Sequence, residues 1–394
     1  MRMLKAPTLG DIPLLEKVIG RLKRPFYQKV SGLTNGFTSL DKRCLLYMKT
    51  SPLYRKTNQH TNMWQTRQWV YVLNSLGFLV DMVSPEVDDY TPSDDYDLFI
   101  GYGSGNSGKH FHKYSSALIK AKKIIFAGGP EPCLSNFLVR ERYDKFNQRT
   151  GLNAPYMRTI DVDFDEFAAV ANYIFCIGEN GGFSCNSYAK YGLPVMPIIP
   201  SHNAPLYIQS RHKKDQKHFL CFAGSGLICK GVDILVEAFR DLPDFDLHIC
   251  GPKEDVFYEA YADLFQPSSN IHYYGFVDID GEQYQDLCAK CSFTILHSAA
   301  EGCCTAVINN MVSGLIPVIN HEVGIDVDGF GYQIPSVIDR VDAVRAAVLE
   351  VSSMNKSEYE HRVTMTLNAS QKYTQQSFTE SITIALEEVI ASKI

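Results

Sequence analysis

The stretch FLCFAGSGLICKGVDILVEAF, residues 219–239, sets the fold of the second half of this chain. Residues 219–223 form an apolar run of strand length, and the run ends at a glycine-rich turn. From residue 232 the apolar positions recur at helical spacing, which predicts a helix over residues 232–242. A buried strand that leads directly into a helix is typical of a parallel sheet.

The alternation of strand and helix continues on both sides of this stretch. In the second half we predict strands over 246–250, 271–274, 293–296 and 316–319, and helices over 255–265, 283–290 and 305–312. In the first half we predict strands over 78–83, 97–102, 124–127 and 173–177, and helices over 64–76 and 113–121. The pattern predicts an α/β chain of two doubly wound parallel-sheet domains, which bind ligands at the carboxyl ends of their strands.

Length and composition suggest how the chain is divided. Its 394 residues exceed what one hydrophobic core usually serves, and 45% apolar with 21% charged residues is ordinary globular composition. A polar stretch over 201–217 is expected to link the domains. We predict an N-terminal extension with a basic amphipathic helix, two Rossmann-like domains, and a C-terminal helix that can pack back on the first domain. These parts cover residues 1–55, 56–203, 204–375 and 376–394, respectively.

Charge and hydropathy argue against several classes of protein. The net charge of -6, without a lysine or arginine stripe, disfavours a nucleic-acid partner. No apolar run reaches the roughly 20 residues that cross a bilayer, and no signal-peptide core is found, so we expect a cytoplasmic protein. The basic segment 14–29 is compatible with peripheral contact to a membrane, or with covering a groove of the protein itself. The odd number of cysteines, 11, favours reduced thiols.

Two loops carry the candidate chemistry, and each follows a predicted strand. In the first, Gly224, Ser225 and Gly226 let main-chain amides approach a ligand. Lys230 then lies near a helix start, where the helix dipole favours anions. In the second, Glu301 precedes another helix start. The amides that follow it are those of Gly302, Cys303, Cys304 and Thr305. A carboxylate for sugar hydroxyls beside groups that hold phosphate predicts a nucleotide-sugar site.

These two loops resemble those of the family 4 retaining glycosyltransferases, group 1 type, which have the GT-B fold. The family carries a Gly-Arg-x4-Lys-Gly turn and a Glu-Gly-x6-Glu segment. The matching positions here are Gly224, Lys230, Gly231, Ser298, Glu301, Gly302, Met311, Gly314, Pro317 and Val318. The resemblance implies two Rossmann-like domains that face each other across a cleft, with the acceptor on the first domain and the nucleotide sugar on the second.

The resemblance also implies a reaction and its residues. A sugar would pass from a nucleoside diphosphate to a glycan or lipid-linked acceptor with retention of configuration, in surface polysaccharide biosynthesis. Lys230 and Glu301 would be the catalytic residues, Asn309 and the neighbouring Asn310 would meet the ribose, and neither a cofactor nor a metal would be needed. Two positions depart from the family: Ser225 replaces its arginine and Asn309 its second glutamate. These departures leave a second interpretation open, a non-catalytic GT-B-like binding or partner subunit.

A third interpretation comes from the first domain. Residues 103–110 read GSGNSGKH, which matches a phosphate loop except that His110 replaces the serine or threonine for magnesium. That pattern would indicate a phosphate-loop kinase. In the glycosyltransferase interpretation the same loop, through Gly103, Ser104 and Gly105, lines the first-domain side of the cleft. His110 and His112 lack further ligands, so we predict no metal site. The sequence does not define the oligomeric state.

Overall fold

The computed structural model describes residues 28–54, 60–103, 108–203, 215–336 and 340–392. These residues build two domains, each with its own mainly parallel sheet. The predicted basic helix of the N-terminal extension falls, as far as residue 27, outside the described residues. No helix of the described part is long and apolar enough to span a bilayer.

The first domain contains a seven-stranded sheet in the order β1-β3-β2-β4-β5-β6-β7. Strand β1 runs antiparallel to β3, and the other pairs are parallel. The strands are β1 (Lys29–Leu33), β2 (Lys42–Tyr47), β3 (Phe78–Val83), β4 (Leu98–Tyr102), β5 (Lys122–Ala127), β6 (Tyr173–Ile177) and β7 (Val195–Ile198). The helices are α1 (Asn62–Ser75), α2 (Phe111–Ala117), α3 (Pro132–Thr150), α4 (Phe164–Val170) and α5 (Phe183–Asn186).

The start of the first domain differs from the sequence prediction. Residues 1–55 were expected to be an extension, but β1 and β2 lie within that range and belong to the first sheet. Strand β2 lies between β3 and β4, and Cys44, Leu45 and Leu46 are completely buried there. A strand in the middle of a sheet is part of the domain core, so the first domain begins well before residue 56.

The second domain contains a six-stranded parallel sheet in the order β10-β9-β8-β11-β12-β13. The strands are β8 (His218–Phe222), β9 (Asp246–Cys250), β10 (Ile271–Tyr273), β11 (Phe293–Leu296), β12 (Ile316–Asn320) and β13 (Tyr332–Ile334). The helices are α6 (Val232–Arg240), α7 (Asp255–Tyr261), α8 (Glu282–Lys290), α9 (Thr305–Val312), α10 (Val341–Ser352) and α11 (Lys356–Ser370). The prediction of two doubly wound parallel-sheet domains is confirmed.

Strands β8 and β11 are neighbours at the point where the order of the second sheet reverses. Phe219 pairs with Phe293 and Leu220 with Thr294, although a whole βαβ unit separates the two strands along the chain. Connections on either side of a reversal leave toward opposite faces of a sheet, so a crevice opens at the carboxyl ends. The loops after β8 and β11 therefore meet at one place.

Two helices cross from one domain to the other. Each packs on one domain, although the strand that precedes it in the chain belongs to the other domain. The C-terminal helix α12 (Gln375–Ala391) lies on the first domain, where Phe378 contacts Trp64 with ring centroids 5.7 Å apart. Helix α3 follows a strand of the first sheet but docks on the second domain, where Arg142 donates to the carbonyl of His297 at 2.9 Å. The exchange ties the two domains together across a buried interface.

Candidate active site

Lys230 and Glu301 meet at the carboxyl ends of β8 and β11. The Lys230 ammonium Nζ lies 2.5 Å from Glu301 Oε1. Ser298 Oγ donates to the same carboxylate oxygen at 3.1 Å. The side chains of Lys230 and Glu301 are only 6% and 12% exposed, so the ion pair lies at the floor of the crevice.

The loop that carries Lys230 depends on two glycines with left-handed backbone. Gly226 has φ +88° and Gly231 has φ +69°, a region that side chains with a Cβ rarely adopt. The Lys230 amide donates to the Gly226 carbonyl at 2.9 Å, which closes the turn before α6. A Cβ on Gly231 would lie 2.0 Å from the His297 carbonyl oxygen, so the loop also packs directly on the end of β11.

The charges of the pair are stabilised against burial. Burial is the largest influence on Lys230 and would lower its pKa, but the charge of Glu301, that of Cys304 and the hydrogen bond to Glu301 together raise the pKa above its ordinary value. Burial alone would raise the pKa of Glu301, whereas Lys230 and Arg158 bring it below its ordinary value. Both groups therefore stay ionised at neutral pH.

Several amides around the pair are available to a ligand. The amides of Gly224, Ser225 and Gly226 donate to no group within the described part of the chain. The amide of Cys304 is different, because it donates to the Val323 carbonyl at 3.1 Å. The Cys304 amide, which was expected to hold phosphate, thus already has a partner. The amides of Gly302 and Cys303, like those of residues 224–226, donate to no group within the described part of the chain.

The ion pair opens into a cleft of about 640 Å³ that both domains line. The first domain supplies the start of α1, the ends of β4 to β6 and Arg158, and the second supplies the two loops described above. The charged side chains of the described lining are Arg158, Lys230, Asp278 and Glu301, and its histidine is His60. Of the predicted residues, the lining includes Gly224, Ser225, Gly302, Cys303, Cys304, Thr305 and Asn309.

The first-domain part of the predicted site is only partly described. Ser104 and Gly105 fall outside the described residues. Gly103 is described but is not among the lining residues, and a Cβ there would lie 2.1 Å from Ile125 Cγ2. Tight packing against β5 therefore explains why residue 103 is a glycine, and no bound ligand is needed to explain it.

The two asparagines expected at the ribose have partners in the protein. Asn309 Nδ2 donates to Asn203 Oδ1 at 2.9 Å, and its Oδ1 accepts from the Asn203 amide at 3.1 Å. Asn310 is completely buried and bonds the hydroxyls of Tyr284 and Thr294 at 2.8 Å each. Asn310 therefore faces the core and cannot meet a ribose, whereas Asn309 remains at the cleft wall.

Three lining residues, His60, Arg158 and Asn203, were not predicted as site residues from the sequence. His60 precedes α1, and burial lowers its pKa below the ordinary value. Arg158 lies in the segment between α3 and α4, and its Nη1 donates to the Ser225 carbonyl at 3.1 Å. None of the three belongs to a motif, so only the folded arrangement reveals them.

A possible metal-ligand group lies away from the cleft. His218 and Asp246 are the first residues of β8 and β9, and His248 follows two positions later. Their ligand atoms lie within 4.8 Å of one another. This group is at the amino-terminal edge of the sheet, opposite the carboxyl ends, so it takes no part in the cleft.

Comparison with known families agrees with this geometry. Residues 204–328 match the family model of the glycosyl transferases group 1. The second domain is similar to this family. This match covers both loops of the site and strands β8 to β12. A comparison with curated protein sequences finds no match.

Solved structures show that both described domains together have the GT-B fold. Sucrose-phosphate synthase from Thermosynechococcus elongatus is similar with a TM-score of 0.62 and 11% identity, over 89% of this chain and 100% of that one. The Anabaena protein HepE, in complex with UDP and glucose, gives 0.53 and 13% over 88% and 99%. The pneumococcal O-GlcNAc transferase GtfA, in complex with UDP and GlcNAc, gives 0.51 and 16% over 75% and 57%. The chain thus spans just over half the length of GtfA.

Proposed function

We propose that the protein transfers a sugar from a nucleoside diphosphate to an acceptor hydroxyl, with its donor site at the loops after β8 and β11. The observation that carries this proposal is the buried pair of Lys230 and Glu301 beside the free amides of residues 224–226. A lysine and unbonded amides suit a diphosphate, and a carboxylate suits sugar hydroxyls.

Lys230 and the amides act on the leaving group. Negative charge grows on the diphosphate as the bond to the sugar breaks, and groups already oriented toward that charge stabilise the transition state. Lys230 is held in place by Glu301 before any donor arrives, so little reorganisation is needed. Because these groups supply positive charge, we expect transfer without a divalent ion.

Glu301 orients the sugar. Its Oε1 already accepts from Lys230 and Ser298, which leaves Oε2 as the oxygen that can accept from a sugar hydroxyl. Such a contact holds the anomeric carbon in place relative to the diphosphate. The binding energy of the sugar is thereby used to keep the reacting atoms in the geometry that the transfer needs. We expect the acceptor to attack on the face from which the diphosphate departs, which retains the configuration.

The acceptor side belongs to the first domain in this proposal. A glycan or lipid-linked acceptor in surface polysaccharide biosynthesis is the class that we expect. The walls near His60 and Tyr102 would contact it, because they line the part of the cleft that faces the donor loops. HepE and GtfA, which share the fold, were each solved with UDP and a sugar, which supports a UDP-sugar as the first donor to test.

Ligand screening by thermal shift tests the proposal against the two other interpretations. Nucleotide sugars and nucleoside diphosphates at millimolar concentration should raise Tm, with or without EDTA. A non-catalytic subunit that has lost the donor site would show no shift with any of them. A phosphate-loop kinase would respond to ATP only with magnesium, and Lys109→Ala would abolish that response. A donor found in this way is then incubated with the protein, and release of the nucleoside diphosphate is measured.

A further inference from the structure

Arg158 brings a second cation to the loop that holds Lys230. Its guanidinium donates to the Ser225 carbonyl at 3.1 Å and faces the cleft, where it is accessible to a ligand. No carboxylate of the described residues forms an ion pair with Arg158. Its guanidinium N–H groups beyond the one at Ser225 are therefore available to a ligand with oxygen acceptors.

The backbone at Arg158 has an unusual conformation that directs this side chain toward the loop after β8. Arg158 has φ +65°, and Asn35 is the only other described non-glycine residue with a positive φ. Left-handed backbone is unfavourable for a side chain with a Cβ, so the surrounding structure must hold it in place. Gly226 makes room opposite, because a Cβ there would lie 2.7 Å from Arg158 Cδ.

Two asparagines of α3 fix the segment that carries Arg158. Asn136 Nδ2 donates to the Ile160 carbonyl at 2.8 Å, and Asn136 Oδ1 accepts from the Ile160 amide at 2.7 Å. On the other side, Asn147 Oδ1 accepts from the Ala154 amide at 2.8 Å. Both ends of the exposed segment are thus tied to one helix.

Helix α3 is in turn anchored to the second domain close to the same loop. Tyr143 donates to Glu254 Oε1 at 3.1 Å, and Glu254 Oε2 accepts from the Ile228 amide at 3.4 Å. Arg149 pairs with the completely buried Asp233 of α6. The position of Arg158 is therefore set relative to the second domain, although its chain segment belongs to the first.

The charges at this place favour an anion. Glu301 is the carboxylate that stabilises both Lys230 and Arg158 electrostatically, so a single negative group faces two positive groups. The free amides of residues 224–226 lie on the loop that Arg158 contacts. Guanidinium, ammonium and amides together match the several oxygens of a diphosphate.

We propose that Arg158 binds the diphosphate of the donor together with Lys230, so that segments of both domains build the anion site. This inference rests on the proposed function and adds a ligand that the sequence motif lacks. Ser225 stands where the resembling family has arginine, and Arg158 brings its guanidinium to the carbonyl of that same serine. The diphosphate would then also hold the α3–α4 segment against the loop.

Isothermal titration calorimetry with inorganic pyrophosphate and with UDP tests this assignment. Pyrophosphate can be used although the base of the donor is unknown. Uridine is the matching probe that has no phosphate. We expect Arg158→Ala to weaken pyrophosphate and UDP about tenfold to a hundredfold, and Arg158→Lys to weaken them less. The matched control is Arg140→Ala, which removes an exposed arginine of α3 outside the cleft lining and should leave both affinities unchanged.

The outcomes separate the two proposals. If wild type binds both probes, Lys230→Ala weakens them and Arg158→Ala does not, then Arg158 is no diphosphate ligand and the proposed function stands. If wild type binds neither pyrophosphate nor any nucleoside diphosphate, the donor site itself is wrong. A role of Arg158 in folding alone would lower Tm and leave the affinities of the folded protein unchanged, and the salt dependence of binding would then match that of wild type.

Discussion

The ammonium of Lys230 lies 2.5 Å from the carboxylate of Glu301, although the two residues are 71 positions apart in the chain. The sheet order explains the distance, because β8 and β11 are hydrogen-bonded neighbours and each residue follows one of them. If these groups lay on opposite sides of the molecule, the loops after β8 and β11 could not form one site. Their contact makes each group part of the other's environment, so a change at either alters both.

Lys230→Ala should lower turnover about a hundredfold to a thousandfold. In the proposed reaction the lysine is a preoriented donor to the charge that develops on the leaving diphosphate, and removal of one such group commonly has an effect of this size. Turnover is measured as release of the nucleoside diphosphate with the donor found by screening. Lys356→Ala is the control, because Lys356 lies on α11, pairs with Glu360 and is not among the residues that line the cleft. Wild-type turnover in Lys230→Ala would contradict the assignment of Lys230.

The Lys230 and Glu301 pair should also contribute to stability. Both residues line the cleft, and substitution of an exposed lining residue usually changes stability little. Their side chains are in fact only 6% and 12% exposed, and an unpaired buried charge is costly. We expect Lys230→Met to lower the free energy of unfolding by up to about 3 kcal/mol, with Arg158 limiting the loss.

A double-mutant cycle with Glu301→Gln measures this coupling by urea unfolding. If the pair interacts as the distance indicates, Lys230→Met and Glu301→Gln together will be less destabilising than the sum of the single changes. Additive effects would mean that the contact contributes nothing to the free energy of unfolding.

Gly226→Ala should weaken diphosphate binding without a change at any charged group. The new Cβ would lie 2.7 Å from Arg158 Cδ, and the φ of +88° is unfavourable for alanine. Displacement of Arg158 should weaken pyrophosphate binding, and the backbone strain should lower the free energy of unfolding by about 1 kcal/mol or more. Gly329→Ala is the matched control, since its φ of +78° carries the same strain with open space at the Cβ. Equal pyrophosphate affinity in the two variants would argue against a steric role of Gly226.

Acid should destabilise the protein partly through His248. Burial, and then the positive charges of His272 and Lys290, lower the pKa of His248 from 6.5 to about 3. The folded protein therefore keeps this imidazole neutral, while the unfolded chain takes up a proton below its ordinary pKa. The resulting stability is complete above the unfolded pKa and is lost as the pH falls toward the folded one.

The slope of the unfolding free energy with pH measures this effect. In His248→Phe the slope between about pH 4 and 6 should be smaller than in wild type by up to about 1.4 kcal/mol per pH unit, because one proton fewer is taken up. An unchanged slope would show that His248 is protonated in the folded protein as readily as in the unfolded chain.

The elements that the sequence predicts well are buried strands that lead into glycine turns. Strands β8, β9 and β11 were expected within one residue of their observed ends, because uninterrupted apolar runs bounded by polar or glycine residues have few other structures. The two candidate loops were found for the same reason. A glycine turn after a buried strand has a defined place in a parallel sheet, so Lys230 and Glu301 could be predicted to meet.

The elements that the sequence does not predict have mixed environments. Strand β2 begins with Lys42 and Arg43, and helix α3 has no single apolar face because it is wedged between the domains. Arg142 of α3 is 1% exposed, so the helix buries a charged residue where the periodic pattern calls for an apolar one. Arg158 cannot be predicted from the sequence for a related reason, because its segment is irregular and its position depends on how α3 docks on the second domain.

Gly302→Ala should push the two domains apart where their backbones lie against each other. A Cβ on Gly302 would lie 2.6 Å from the carbonyl oxygen of Gly128 and 3.2 Å from the Cα of Gly129. Both neighbours are backbone of the first domain, which cannot rotate away as a long side chain would. We expect the free energy of unfolding to fall by about 1–3 kcal/mol, as for other overpacked sites.

Gly128→Ala is the control for this prediction, since a Cβ on Gly128 meets no atom within 4 Å. The two glycines face each other across the cleft, yet only one of them is required by the packing. Urea unfolding of both variants therefore shows whether the loss of stability comes from the steric clash at Gly302 or from any alanine placed in these loops. Equal stability of the two variants would mean that the domains do not approach at Gly302 in solution.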